Sequence, residues 1–256
     1  PYNTHEKRLL ECKIDPSKIN VTLDDVGGLA SIKRELQMGL ILPLSNPKPF
    51  FASRCLRPSR GVLFAGPPGT GKTMLAKAVA RECGVNFISI TLAQLEDKYF
   101  GESSKMLAAA FSLGRKLQPS ILFFDEIDGM AKKRSADDQQ CSYSFKTEFL
   151  AQMDGIAGSS NDALFVIGAT NNPNALDPAM KRRLPRVYTI GLPAANERLE
   201  ILRMCMLDEP GDAIPPPWLA EATEVTAKGD TSGMSGSDLH ELYRLASSTR
   251  LEAQLG

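Results

Sequence analysis

The sequence predicts an α/β fold, a parallel sheet with flanking helices, followed by a small all-α unit. Three observations carry this. Short β-rich runs alternate with helix-spaced apolar segments from Val21 to about Pro193, four of the five runs are nearly continuous apolar stretches, and no strand-like run follows Gly191. Alternation of this kind places crossover helices over a parallel sheet, and strands covered on both faces lose the apolar–polar alternation of a half-exposed strand.

Taken in order, residues 1–21 are polar and charged, with a short apolar patch at Leu9-Leu10 and a helix breaker at Pro16, and read as a linker or docking arm. The expected strands are Gly61–Ala65, Asn86–Ile90, Ile121–Phe124, Ala163–Ala169 and Val187–Gly191. Helices are expected at Lys72–Cys83, at Ser103–Leu117 with Met106, Ala110, Leu113 and Leu117 on one face, at Phe145–Met153 and at Asn196–Leu207. Asp208–Pro217 is turn-rich, and helical pieces at Trp218–Thr223 and Ser237–Leu251 complete the chain, with Ser237 the expected helix cap. The resulting division is an arm at 1–21, a large α/β unit at 22–194 and a small helical unit at 195–256.

Composition excludes several classes. Hydrophobic residues make up 43% and charged residues 23%, the usage of an ordinary folded globular protein. Thirty basic side chains balance thirty acidic ones, so the chain lacks the basic excess of a general nucleic-acid binder, and no nucleic-acid partner is expected. Five scattered cysteines without a C-x-x-C pair, beside only two histidines, fit reduced thiols facing the cytosol and not a zinc centre. No apolar run approaches the roughly 18 residues needed to span a bilayer. The sequence opens at Pro1 without a methionine and reads as a fragment, so a membrane anchor would lie outside it.

The chemistry begins at Gly66-Pro67-Pro68-Gly69-Thr70-Gly71-Lys72-Thr73, which satisfies G-x-x-x-x-G-K-T between an expected strand and an expected helix. Glycines let the backbone curl so that successive N–H groups and the helix N-terminus face phosphates. Lys72 adds a point charge for the β and γ phosphates, and the Thr73 hydroxyl is a ligand for Mg²⁺. Pro68, Gly69, Thr70, Gly71, Lys72, Thr73 and Met74 are therefore the predicted ATP contacts. A second motif, Ile121-Leu122-Phe123-Phe124-Asp125-Glu126, is an apolar strand ending in two carboxylates, at the sheet end where open α/β folds bind ligands. Asp125 is the predicted second Mg²⁺ residue, and Glu126 is placed to polarise the water that attacks the γ phosphate. Together they point to hydrolysis of ATP with Mg²⁺, beyond nucleotide binding alone.

With these motifs in hand, the stretch from about Val21 to Leu245 resembles the AAA family of ATPases, in its meiotic-type clade. Asp25-Val26-Gly27-Gly28-Leu29 looks like the family's leading segment, whose backbone at Asp25, Val26 and Gly27 recognises adenine. Gly168-Ala169-Thr170-Asn171 is similar to its sensor-1 strand end, where Asn171 orients the attacking water. Leu176–Arg183 resembles the arginine-finger segment, with Arg182 and Arg183 reaching a neighbouring subunit's nucleotide. Ser235–Leu239 resembles the second-sensor region, with Gly236 and Ser237 facing the nucleotide. The resemblance implies an AAA large domain with a small all-α lid, and a homo-oligomeric ring, usually a hexamer.

In the same family Lys98-Tyr99-Phe100-Gly101 corresponds to the pore loop, where aromatic side chains grip a threaded polypeptide. Within it, Ser112–Ser120 and Arg182-Arg183-Leu184-Pro185 look most like the extractases of tail-anchored membrane proteins at the mitochondrial outer membrane. This implies a cytosol-facing translocase, with its anchor in that membrane or the peroxisome. Tyr99-Phe100 stands where Trp-Tyr is usual, and Asn172 where an arginine commonly follows sensor 1. Two alternatives differ in class. A microtubule-severing or endosomal-filament-remodelling relative would keep the Lys146–Leu150 stretch but carry paired arginines where Tyr143-Ser144 stand here. A nucleotide switch or nucleic-acid motor would lack Glu126 or line its channel with Lys and Arg.

Overall fold

The computed structural model describes residues 2–46, 50, 58–91, 95, 102–129, 136–158, 163–207, 229 and 231–255. Their sheet has six strands: β1 (Lys13–Ile14), β2 (Gly61–Ala65), β3 (Asn86–Ile90), β4 (Ser120–Phe124), β5 (Leu164–Thr170) and β6 (Arg186–Thr189). The spatial order is β1-β3-β4-β5-β2-β6. Strands β2 to β6 pair in parallel, and β1 pairs antiparallel with β3 at one edge. β2 therefore lies beside β5 although β3 and β4 intervene in sequence. This crossover opens a crevice at the C-terminal strand ends, the usual ligand position in such sheets.

The α-helices bounded among the described residues are α1 (Thr4–Leu9), α2 (Ala30–Leu36), α3 (Leu42–Ser45), α4 (Lys72–Cys83), α5 (Glu102–Lys116), α6 (Ala136–Gly158), α7 (Pro178–Arg183), α8 (Ala195–Leu207) and α9 (Gly236–Leu255). A π-helical turn, Gln37–Ile41, joins α2 to α3. The helix expected at Phe145–Met153 is the middle of the much longer α6. The expected pieces Asp208–Pro217 and Trp218–Thr223 lie outside the described residues.

The core follows from the pleat, in which successive side chains point to opposite faces. Phe123 stacks on Phe87 at 5.6 Å between ring centroids on one face. Phe124 meets Phe111 at 5.9 Å and Phe149 at 5.8 Å on the other. The first face is closed by α4 through Leu75 and Val79, the second by α5 and α6. Full burial of each phenylalanine contributes about 2–3 kcal/mol, which fixes β4 between two layers and so fixes the carboxylates at its end. β6, at an edge, keeps only Tyr188 buried along its length. A smaller cluster of Leu202 and Leu239, with Ile201, Met234 and Tyr243 against it, joins α8 to α9.

The arm differs from a free linker. Asn3 and Glu6 form a reciprocal capping box on α1. Glu6 is fully buried, and its carboxylate accepts from Ser112 Oγ at 2.7 Å and from Lys116 Nζ at 2.7 and 2.8 Å on α5. Burial alone raises this carboxyl, but the Lys116, Asn3 and Ser112 hydrogen bonds outweigh it and hold it at about 2 against an ordinary 4.5. Because the folded value is the depressed one, the stabilisation is full above about 4.5 and is lost as pH falls toward about 2. Glu6→Gln is expected to cost about 2–3 kcal/mol at neutral pH and to flatten the acid limb of the stability curve. Urea denaturation from pH 7 to pH 3 measures both. An unchanged acid limb would remove Glu6 from this role.

Candidate functional site

The phosphate loop runs from the end of β2 into α4. Its glycines include Gly69 at φ +74° and Gly71 at φ +86°, backbone that side chains with a Cβ rarely adopt. Lys72 is 7% exposed, and its Nζ donates to the carbonyls of Gly66 at 2.8 Å and Pro67 at 2.6 Å. Burial lowers the Lys72 ammonium from its usual range, while Asp125, Asp128 and Glu126 act in the opposite direction. The result is a cation held at the loop's centre with acids on its far side.

Those acids come from the next-but-one strand. Thr73 Oγ1 donates to Asp125 Oδ2 at 2.9 Å, bringing together the two residues expected at the metal. This hard oxygen set fits Mg²⁺, which prefers a few protein oxygens completed by phosphate and water. Among the described residues no cluster of three or more His, Cys, Asp or Glu offers a different metal cage. Glu126 follows at φ +50°, a left-handed conformation costing about 1–2 kcal/mol for a residue with a Cβ. Its N–H donates to Asp125 Oδ1 at 3.0 Å, and the Ile127 N–H is fixed on the Ala169 carbonyl at 2.9 Å. The kink is thus held on both sides and turns Glu126 out of the strand's direction.

Beside it, Asn171 is exposed at the end of β5. The preceding Thr170 is buried, its hydroxyl donating to Asp128 at 2.7 Å and accepting from the Asn172 N–H at 3.0 Å. Asn172 caps the short turn Pro173–Ala175, accepting from the Asn174 N–H. Loop, carboxylates and Asn171 therefore end three adjacent strands, β2, β5 and β4.

A cavity of about 320 Å³ adjoins the loop, lined in part by Asp25, Val26, Gly27, Gly69, Thr70 and Gly71. Met74, Gly236 and Ser237 line it too, so it gathers most residues expected at the nucleotide. Four more were not read from sequence: Asp24, Ile201, Met204 and His240. Helical spacing carries the missed signal, since His240 lies one turn beyond Gly236 and Ser237, and Ile201 and Met204 are three apart on α8. The Asp25 carboxylate accepts from the Thr22 N–H at 2.6 Å and from the Thr22 hydroxyl, and these hydrogen bonds lower its pKa.

The small helical unit is tied to this site. Ser237 N–H donates to the Gly69 carbonyl at 3.1 Å. Glu197 and Glu200 of α8 accept from the N–H groups of Leu29 and Gly28, each at 2.9 Å. The cap of α9 is Ser235, not Ser237: Ser235 and Asp238 exchange reciprocal hydrogen bonds, the Ser235 N–H donating at 2.8 Å. Asp238, three residues after Ser235, supplies the acid of this capping box.

The two arginines separate. Arg183 makes a paired contact with Asp154, at 3.0 and 2.9 Å, and Asp154 raises its pKa. Arg182 is exposed at the end of α7. Neither is among the described residues lining the cavity. Lys98, Tyr99, Phe100 and Gly101 lie outside the described residues. Among the described residues no helix is long and apolar enough to cross a membrane.

Comparison with known proteins agrees with this arrangement. Residues 62–192 match the model of the "ATPase family associated with various cellular activities (AAA)". The chain is 41% identical over 248 residues to an "Outer mitochondrial transmembrane helix translocase" of Danio rerio, covering 96% of this chain and 63% of that relative. It is 38% identical over 250 residues to a "Mitochondrial sorting homolog" of Caenorhabditis elegans, covering 97% and 70%. The FIGL-1 AAA domain in complex with ADP superposes with a TM-score of 0.75 at 35% identity, covering 91% of this chain and 75% of that one. The chain thus spans less than two thirds of the Danio rerio relative.

Proposed function

This chain belongs to the AAA family of ATPases, and from that premise we propose that it is the motor of a ring that extracts tail-anchored proteins from a membrane by threading them through its pore. The carrying observation is the Thr73–Asp125 contact of 2.9 Å beneath the phosphate loop, with Glu126 and Asn171 ending the neighbouring strands. The identity of 41% to a transmembrane helix translocase supports the cargo. We take 1–21 as an arm, 22–194 as the ATPase unit and 195–256 as its lid.

In this reading the loop N–H groups and Lys72 hold the β and γ phosphates of ATP. Thr73 and Asp125 hold Mg²⁺, which neutralises phosphate charge when bound. Glu126 accepts the proton of a water that Asn171 orients; the water oxygen bonds to the γ phosphorus as the bridging bond to ADP breaks. Arg182 of a neighbouring copy offsets the transition-state charge, which makes hydrolysis depend on assembly, as in a hexamer. Tyr99 and Phe100 grip the polypeptide, between Lys98 and Gly101. An anchor outside residues 1–256 would hold the ring at the mitochondrial outer membrane.

The test uses the full-length protein in liposomes carrying a tail-anchored substrate, and reads extraction per ATP hydrolysed. ATP-dependent release is expected, falling about tenfold in Tyr99→Ala, the equivalent of about 1.4 kcal/mol of lost aromatic contact. Release without ATP, or an unchanged ratio in the variant, would overturn the threading reading.

A further inference from the structure

Two carboxylates of α8 hold the turn that leads out of the nucleotide cavity. The cavity is lined by residues 24–27 from one part of the chain and by Ile201 and Met204 of α8 from another. Directly after the first of these, Gly28 and Leu29 are both left-handed, at φ +67° and +58°. A leucine adopts this backbone at a cost and keeps it only where outside contacts hold it. Those contacts are carboxylates: the Gly28 N–H donates to Glu200 Oε2 and the Leu29 N–H to Glu197 Oε1, each at 2.9 Å. Packing here is close enough to require glycine. A Cβ on Gly28 would stand 2.6 Å from Glu197 Oε1, and one on Gly27 would overlap the Ile201 side chain. The two glutamates differ in one respect. Glu197 Oε2 also accepts from the Ala194 N–H at 2.8 Å, so both of its oxygens receive N–H donors, whereas Glu200 meets Gly28 through one oxygen.

We propose that Glu197 and Glu200 are positioning residues for nucleotide binding, a carboxylate latch by which α8 sets residues 24–27 against Ile201 and Met204. Neither glutamate is among the described residues lining the cavity, so both act through the backbone they hold. Nucleotide and latch then depend on the same arrangement of α8 and the turn. With the latch open, the binding-competent arrangement is a smaller share of the population, and the observed affinity falls by that fraction. By linkage, a bound nucleotide keeps the latch closed and ties the small helical unit to the large one. The geometry also fixes which charge matters. A carboxylate offers acceptors only, whereas an amide offers an acceptor oxygen and a donor nitrogen. Glu200→Gln can therefore keep its contact with Gly28. In Glu197→Gln the new amino group would face an N–H of either Leu29 or Ala194.

The latch rests on the reading that a nucleotide binds in this cavity, so the full parent chain is titrated first with fluorescent ADP and Mg²⁺. Glu197→Gln is then expected to bind ADP about tenfold more weakly and Glu200→Ala about threefold, while Glu200→Gln stays within about twofold of the parent. Turnover at saturating ATP should stay within about twofold in each variant, because Thr73, Asp125, Glu126 and Asn171 are untouched, and the loss should fall on KM. Urea denaturation without nucleotide measures stability separately. Glu200→Ala leaves the Glu197 contacts in place and decides the matter if Glu197→Gln does not fold. Unchanged ADP affinity in Glu197→Gln and Glu200→Ala would overturn the proposal. So would equal weakening by Glu200→Gln and Glu200→Ala, or a fall in turnover that matches the rise in KM, as a merely structural side chain would give. Failure of the parent chain to bind ADP would overturn the nucleotide reading and the latch with it.

Discussion

Glu126→Gln is expected to lower ATP turnover by about 10²- to 10⁴-fold, with nucleotide affinity held within about threefold. The amide keeps the size of the side chain and the left-handed kink at φ +50°, but it cannot accept a proton at neutral pH. The phosphate loop, Lys72 and the Thr73–Asp125 contact of 2.9 Å are untouched, so ground-state binding should persist. Single-turnover phosphate release measures the first quantity and fluorescent ADP titration the second. Turnover within about threefold of the parent would move the proton acceptor elsewhere. Equal losses of affinity and turnover would instead mean that the kinked segment had refolded around the substitution.

Arg182→Ala is the second large effect. In the assembled protein it is expected to lower ATPase activity by about 10³-fold, the range of a finger that offsets charge on the transferring phosphoryl group. Nucleotide affinity should change little, because Arg182 is not among the residues lining its own chain's cavity. Arg183→Ala should act differently. Its guanidinium already pairs with Asp154, a partly exposed ion pair of the kind that contributes little to stability, so the substitution should cost a little stability and much less rate. ATPase activity measured across a concentration series separates the two, since a residue acting across subunits matters only where the ring forms. If Arg183→Ala gave the thousand-fold loss and Arg182→Ala none, the Asp154 pairing would have to open on assembly and the assignment would reverse.

Sequence reading was strongest where one local rule decides the outcome. Gly61–Ala65 and Asn86–Ile90 form strands over the expected residues, and Lys72–Cys83 forms the expected helix. A strand buried on both faces must be an apolar run, and a phosphate loop must place its lysine and threonine at the head of a helix. The pairing of Thr73 with Asp125, 52 residues apart, was legible for the same reason: Thr73 opens the helix that follows β2, and Asp125 follows β4 in the same parallel sheet. Reading was weakest where polar residues decide. The arm shows little apolar periodicity, yet Glu6 anchors it to Ser112 and Lys116, more than 100 residues away. Lone carboxylates carry no such signal, because a solvated glutamate and a buried, paired one look alike in sequence.

The sequence by itself therefore determined the α/β sheet, the phosphate loop, the two carboxylates that end β4 and the membership that these motifs imply, since each is set by short-range spacing. Only the tertiary structure decided which helix face closes the nucleotide cavity, through Ile201, Met204 and His240. It also decided that Ser235 and Asp238 cap the last helix, that Glu197 and Glu200 fasten α8 to Leu29 and Gly28, and that Arg182 stays exposed while Arg183 is paired. The physical reason is common to all four. Each depends on hydrogen bonds and contacts whose partner is chosen by three-dimensional proximity, and several side chains of the same type along the chain could have made them equally well.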